Sequence, residues 1–176
     1  MKTNIAFIGF MGAGKTTVAK NVSARMNHDF IELDSIIEKK AKKTISDIFS
    51  QDGEIHFREL EIEATKEICR LENVVIACGG GIILNQINID RLKQGSVIVY
   101  LSANLDKLIK RVIGTQTVRP LLDVENMKKH ICALLEFRVP LYERAADITV
   151  DTTEMNIAAT VEKVMKEIHN NDRFSF

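Results

Sequence analysis

Short runs of β-branched, aromatic and other apolar residues alternate along this chain with longer stretches in which apolar residues recur at helical spacing. The runs are NIAFIG at Asn4, FIEL at Phe30, VVIAC at Val74, SVIVYL at Ser96 and DITV at Asp147. Helical patterns are expected over 15–26 and 35–42, and over about 54–72, where Phe57, Leu60, Ala64, Ile68 and Leu71 share one face. Leu105, Leu108, Ile109 and Val112 mark a further helix. Another, over 125–144, carries Met127, Ile131, Leu134, Leu135, Leu141 and Tyr142. Several strand runs are apolar throughout rather than alternating, as parallel strands covered on both faces should be. Five strands alternating with helices predict an α/β three-layer sandwich around a parallel sheet. The polar stretch GTQTVRP, Gly114 to Pro120, lies between two helical patterns and is expected to be an exposed mobile loop.

Length and charge then narrow the classes. A chain of 176 residues suits one domain, which buries roughly 70% of its unfolded surface and needs no covalent staple. Lys plus Arg and Asp plus Glu both total 24, so no overall positive field would hold a nucleic acid or an anionic membrane. Any anion must be bound locally. Cys69, Cys78 and Cys132 are an odd number without C-x-x-C spacing, which argues against a disulfide framework or a zinc site and fits a cytoplasmic protein. Lys2 followed by IAFIGFMGAG superficially resembles a secretory leader, but Gly9 interrupts the run and Lys15 ends it without a cleavage segment. No window approaches the roughly 18 apolar residues of a membrane span.

The chemistry begins at GFMGAGKT, Gly9 to Thr16, directly after the first strand run. Gly9, Gly14, Lys15 and Thr16 fill G-x-x-x-x-G-K-[ST]. In that pattern backbone N–H groups of the loop (here Gly12, Ala13 and Gly14, with Thr17 beyond) surround phosphate oxygens at a helix N-terminus. The lysine reaches the outer phosphates and the Thr16 hydroxyl ligates magnesium. ATP with Mg2+ is the expected ligand. The D-x-x-G and N-K-x-D signatures of a GTPase are missing, and the chain is short for a mechanical ATPase, which leaves a small phosphotransferase.

Its acceptor should sit beyond the carboxyl ends of the strands. Glu32 and Asp34 fall there after FIEL, and Gly79, Gly80 and Gly81 after VVIAC. Asp34 can also be read as the N-cap of SIIEKK, and the glycines as a tight turn. Arg138 falls on the apolar stripe of 125–144, where its charge calls for an anionic ligand, an internal ion pair, or a stem laid along the core edge with its head in water. Arg58 has Glu54 four residues before and Glu61 three after, so a solvated helix pair is its plain alternative. Arg119 lies in the polar loop, where it is either solvated or able to close on a transferring phosphoryl group.

Together these segments resemble the shikimate kinase family, of the nucleoside monophosphate kinase-like fold. The resemblance is carried in order by GFMGAGKT, FIELD, DGEIHFRELE, CGGG, TVRPLL and EFRVPLYERAA, across nearly the whole chain. It implies a five-stranded parallel sheet of order 2-3-1-4-5 in a single domain, 1–176, with a lid at about 113–124 and an acceptor-binding region at about 34–61. It also implies transfer of the ATP γ-phosphoryl group to the 3-hydroxyl of shikimate. Asp34, Arg58, Arg138 and Gly79 to Gly81 would then hold shikimate, with Lys15 and Arg119 on the phosphates. Arg111 resembles the family's adenine-stacking arginine, with a solvated helix residue as the alternative. Two departures stand out. Glu32 replaces the family's usual aspartate beside the metal, and DTTEMN after the last strand run lacks the Arg and Pro often found on the nucleotide side. Rival expectations are a gluconate or nucleotide kinase of the same fold, or a non-catalytic nucleotide-binding module. A monomer with no nucleic-acid or membrane partner completes the expectation.

Overall fold

The computed structural model describes residues 2–115 and 124–174. Five strands, β1 Asn4–Ile8, β2 Asp29–Glu32, β3 Val74–Ala77, β4 Ser96–Ser102 and β5 Ile148–Asp151, form one parallel sheet in the order β2-β3-β1-β4-β5. The expected three-layer architecture and strand order are both present. Inner strands β1 and β3 are buried along their whole length, which is why their sequences are apolar without alternation. The edge strand β5 alternates buried and exposed positions, having one face toward solvent.

Helices α1 Lys15–Met26, α2 Leu33–Ala41, α4 Gly53–Ile68, α5 Gln86–Gly95, α6 Leu105–Thr115, α7 Val124–Ala145 and α8 Ile157–His169 cover the two faces. Between α2 and α4 the short turn α3, Ile45–Asp47, runs into a π-helical segment, Ile48–Asp52. Helices α5 and α8 were not individually legible, although each starts at a side-chain cap. Asn85 accepts from Ile87 N–H and Asn156 from Ala159 N–H.

Three boundaries differ from expectation. Helix α4 stops at Ile68, and Leu71, read as part of its apolar face, is exposed in the connector that follows. Helix α2 starts at Leu33, so Asp34 lies in its first turn and Glu32 occupies the N-cap position. Helix α6 extends through Gly114 and Thr115, which the polar composition had assigned to a loop. The central part of the expected lid, with Arg119 and Pro120, lies outside the described residues.

Asn4, fully buried at the start of β1, ties the sheet to that connector. Its amide donates to Leu71 C=O at 2.6 Å and its carbonyl oxygen accepts from Val74 N–H at 3.1 Å. Replacing Asn4 with leucine fills similar space but leaves both backbone groups without a partner. Asn4→Leu should therefore lower the unfolding free energy by about 2 kcal/mol, read as a shift of the urea midpoint. An unchanged midpoint would show that water reaches Leu71 and Val74.

Candidate active site

The phosphate loop leaves the centre of the sheet from the end of β1. Gly14, at the N-cap of α1, has φ 88°, a left-handed conformation that a side chain disfavours. It leaves α1 without a side-chain cap, and the first turn of α1 contains no acidic residue. The N–H groups of that turn thus remain available to an anion. Gly9 is required for space, since a Cβ there would stand 2.5 Å from Leu101 C=O on β4.

Lys15 Nζ donates to Gly9 C=O at 2.9 Å and Phe10 C=O at 3.1 Å, so the loop's own carbonyls hold the ammonium. Burial lowers its pKa from the usual lysine value, partly opposed by the acidic groups around it, Asp34 and Glu32 among them. Thr16 Oγ1 donates to Glu32 Oε1 at 2.6 Å, which places the hydroxyl and the substituted carboxylate side by side. Among the described residues no cluster of three His, Cys, Asp or Glu side chains is placed to hold a metal alone. The donor set therefore suits a hard cation that keeps most of its water and shares phosphate oxygens.

Beside this loop, Gly79, Gly80 and Gly81 follow β3. None of the three has a positive φ, so a left-handed turn is not their reason. A Cβ on Gly79 would stand 2.8 Å from Asp34 Oδ1, and one on Gly81 would stand 2.5 Å from Arg58 Nη2. The glycines are needed because these two side chains pass directly over the backbone.

Asp34 is half-buried and its Oδ1 has no hydrogen-bond partner among the described residues. Burial raises its pKa above the usual carboxylate range, with Lys15 pulling the other way. Arg58 donates to Glu54 Oε1 at 3.0 Å and to Glu61 Oε2 at 3.0 Å. The first pair is the expected surface one. The second is not, because Glu61 is completely buried, and burial raises its pKa while Arg58 opposes the shift. Asn88, also buried, reaches the same Glu61 oxygen at 3.5 Å. Glu61 and Asn88 thus fix the guanidinium, a role the sequence masked because Glu61 at i+3 reads as an ordinary surface pair.

Arg138 meets no carboxylate within ion-pair distance among the described residues. Its Nε is buried without a partner and its guanidinium lies 5.9 Å from the Phe10 ring. The internal ion pair is therefore not what occupies this charge among the described residues. One turn on, Tyr142 donates its hydroxyl to Gly80 C=O at 2.5 Å. Sequence reading had taken Tyr142 only as core.

Arg111 is half-buried rather than free on the surface of α6. It donates to Gly12 C=O, Thr152 Oγ1 and Thr152 C=O, each at 3.2 Å, joining the phosphate loop to the segment after β5. Arg111 lines two adjoining cavities. One, of about 480 Å³, is bordered by Gly12, Gly14, Lys15, Thr16 and Thr17. The other, of about 340 Å³, is bordered by Val18, Thr152, Met155, Asn156 and Ile157.

Comparison with known proteins settles the family. The family model described as shikimate kinase matches residues 11–169. The chain belongs to the shikimate kinase family. It is 45% identical to a shikimate kinase of Thermoanaerobacter pseudethanolicus, over 93% of this chain and 94% of the relative. The structure superposes on a shikimate kinase from Acinetobacter baumannii in complex with shikimate at a TM-score of 0.88 and 34% identity, covering 98% of this chain and 96% of the other. Against the Aquifex aeolicus shikimate kinase the TM-score is 0.78 at 31% identity, over 96% and 97% of the two chains.

The burial of Asp34 has a consequence for stability. A carboxyl whose folded pKa lies above its unfolded value of about 3.9 favours the fold below that value, and the contribution is lost as pH rises through the folded pKa. The ionised group is thus a burden at neutral pH. Asp34→Asn should melt higher than the parent at pH 8 without ligand, and the difference should shrink steadily toward pH 4. A variant melting below the parent at pH 8 would mean that Lys15 stabilises the carboxylate more than burial penalises it.

Proposed function

We propose that this chain transfers the γ-phosphoryl group of ATP to the 3-hydroxyl of shikimate, giving shikimate 3-phosphate and ADP. The observation that carries the reading is Arg138, a cation in the acceptor region without a carboxylate partner among the described residues. Shikimate brings one carboxylate, and a guanidinium can pair both its oxygens in fixed geometry. Arg58, already oriented by Glu54 and Glu61 and lying over Gly81, supplies a second fork, and Asp34 over Gly79 brings the hydroxyl acceptor to the same glycine run.

Asp34 takes the hydroxyls. Its partnerless Oδ1 accepts the proton of the attacking 3-hydroxyl and points the oxygen at the γ-phosphorus. As the new O–P bond forms, the bond to the β–γ bridging oxygen breaks and ADP departs. The hydroxyl proton passes to Asp34, whose raised pKa suits it to receive one. Because the transition state is loose, orientation of the hydroxyl counts for more than removal of its proton. Lys15 shifts from the loop carbonyls to the outer phosphates and offsets the charge that builds on the bridging oxygen. Mg2+, held by Thr16 directly and by Glu32 through water, would neutralise the β- and γ-phosphates. Arg119, outside the described residues, is assigned to the transferring group from its place in the sequence.

The base of ATP fits the cavity of about 340 Å³ beyond Arg111. Balanced charge and three unpaired cysteines support a cytoplasmic protein without a nucleic-acid or membrane partner. Among the described residues no helix is long and apolar enough to cross a membrane.

Coupled ADP release with shikimate, gluconate and AMP side by side is the direct test, with turnover expected for shikimate alone. Lys15→Met should abolish it while leaving the fold intact. Arg138→Ala should raise KM for shikimate by about ten- to a hundredfold, the loss of a charged hydrogen-bonded contact, with KM for ATP little changed. Turnover with gluconate or AMP instead of shikimate would overturn the assignment.

The magnesium role is tested separately. Glu32→Asp should keep most activity, since a carboxylate acting through water tolerates a change of one methylene, whereas Glu32→Ala should need several times more Mg2+ for half-maximal rate. Identical Mg2+ dependence in all three proteins would reduce Glu32 to a partner of Thr16.

A further inference from the structure

Tyr142 belongs to the fully buried core of the chain, yet its hydroxyl is aimed at the site. It donates to Gly80 C=O at 2.5 Å, while its ring stacks on Tyr100 of β4, centroids 5.0 Å apart and planes 15° apart. Gly80 is the middle residue of the glycine run, and a Cβ there would lie 3.6 Å from Gly9 C=O and 3.8 Å from the Tyr142 hydroxyl. On α7, Tyr142 lies four residues after Arg138, so the two side chains share a helix face. Burial raises the phenol's pKa, and the neighbouring Arg138 cation opposes that shift, so the hydroxyl stays a donor and the two groups sense each other.

We infer that Tyr142 is a positioning residue for the acceptor, linking the helix that carries Arg138 to the glycine run that carries the face opposite Asp34 and Arg58. The inference rests on the shikimate reading above. Among the described residues this bond is the side-chain hydrogen bond that joins α7 to Gly80. If this bond is absent, the glycine run can drift away from α7, and the two forks that receive the carboxylate lose their fixed separation. Core packing alone does not explain the geometry. Phenylalanine would fill the same volume against Tyr100, whereas the hydroxyl both donates to Gly80 C=O and meets the Arg138 guanidinium, so it ties the two to one point.

Tyr142→Phe tests this with Tyr100→Phe as control, since each removes one hydroxyl from the same buried stacked pair and only the first touches Gly80. For Tyr142→Phe, KM for shikimate should rise about five- to tenfold, the loss of one neutral hydrogen bond, with KM for ATP unchanged and kcat lowered less than KM is raised. Tyr100→Phe should leave both KM values at the parent's. Amide exchange over 79–84 in the ligand-free proteins gives a second reading that needs no substrate, and it should quicken in Tyr142→Phe only. Unchanged exchange at 79–84 in Tyr142→Phe, or a rise in KM equal for shikimate and ATP, would overturn the positioning role. A parent protein without shikimate turnover would instead overturn the functional reading, and the exchange measurement would still separate that failure from this one.

Discussion

The site depends on one steric constraint, the close approach of Asp34 to Gly79 and of Arg58 to Gly81 after β3. Each glycine of the run is occupied from outside: Asp34 over Gly79, the Tyr142 hydroxyl at Gly80, and the Arg58 guanidinium over Gly81. These partners come from α2, α7 and α4, elements far apart in sequence. A single methyl group at Gly79 or Gly81 would stand within 3 Å of a polar side-chain atom, closer than real Cβ atoms approach. Backbone proximity, rather than turn geometry, is therefore what brings three helices to the acceptor.

Those side chains are held in an electrostatic state that favours ligand over stability. Lys15 is lowered and Asp34 and Glu61 are raised by burial, and Arg138 has a buried Nε without a partner. In isolation each is a burden on the fold. Carboxylate, hydroxyl and phosphate groups would relieve them together, because each bears the charge or hydrogen-bonding group that the protein side lacks. Glu61 is the exception. Its Oε2 is matched internally by Arg58 and Asn88, although Oε1 is buried without a partner among the described residues, and it fixes a cation that would otherwise sample solvent on the surface of α4.

The sequence made the phosphate loop legible because its mechanism is local: strand, glycines, lysine and helix start are contiguous, and their spacing is their geometry. Strand order followed from family resemblance, and the apolar runs of β1 and β3 showed that helices cover both faces. What pairs with what was less legible. Gly79 to Gly81 left a plain turn open as the alternative, since their partners lie tens of residues away. Glu61 read as a surface pair because i+3 spacing does not reveal that α5 covers it. Tyr142 read as core, since its hydroxyl meets a backbone carbonyl that has no sequence signature. Helix ends moved for local reasons, as at Leu71, where the chain must turn to deliver Asn73 in a left-handed conformation to β3.

Donor and acceptor share a rigid frame because their strands are neighbours. Phe7 of β1 pairs with Ala77 of β3, and Cys78 N–H continues the ladder by donating to Phe7 C=O at 3.0 Å. The phosphate loop and the glycine run therefore leave the sheet side by side, one strand spacing of about 4.8 Å apart. Gly80 then comes close enough to Gly9 C=O that a Cβ would be in contact with it. A sheet buried on both faces changes that spacing very little, so on the proposed reading the distance between γ-phosphate and hydroxyl would be set mainly by the ladder. On the other side Gly9 presses on Leu101 C=O of β4, and Arg111 joins Gly12 to the segment after β5. The phosphate loop is thus braced from both halves of the sheet. On the proposed reading the strands would therefore do most of the aligning of the two reacting groups.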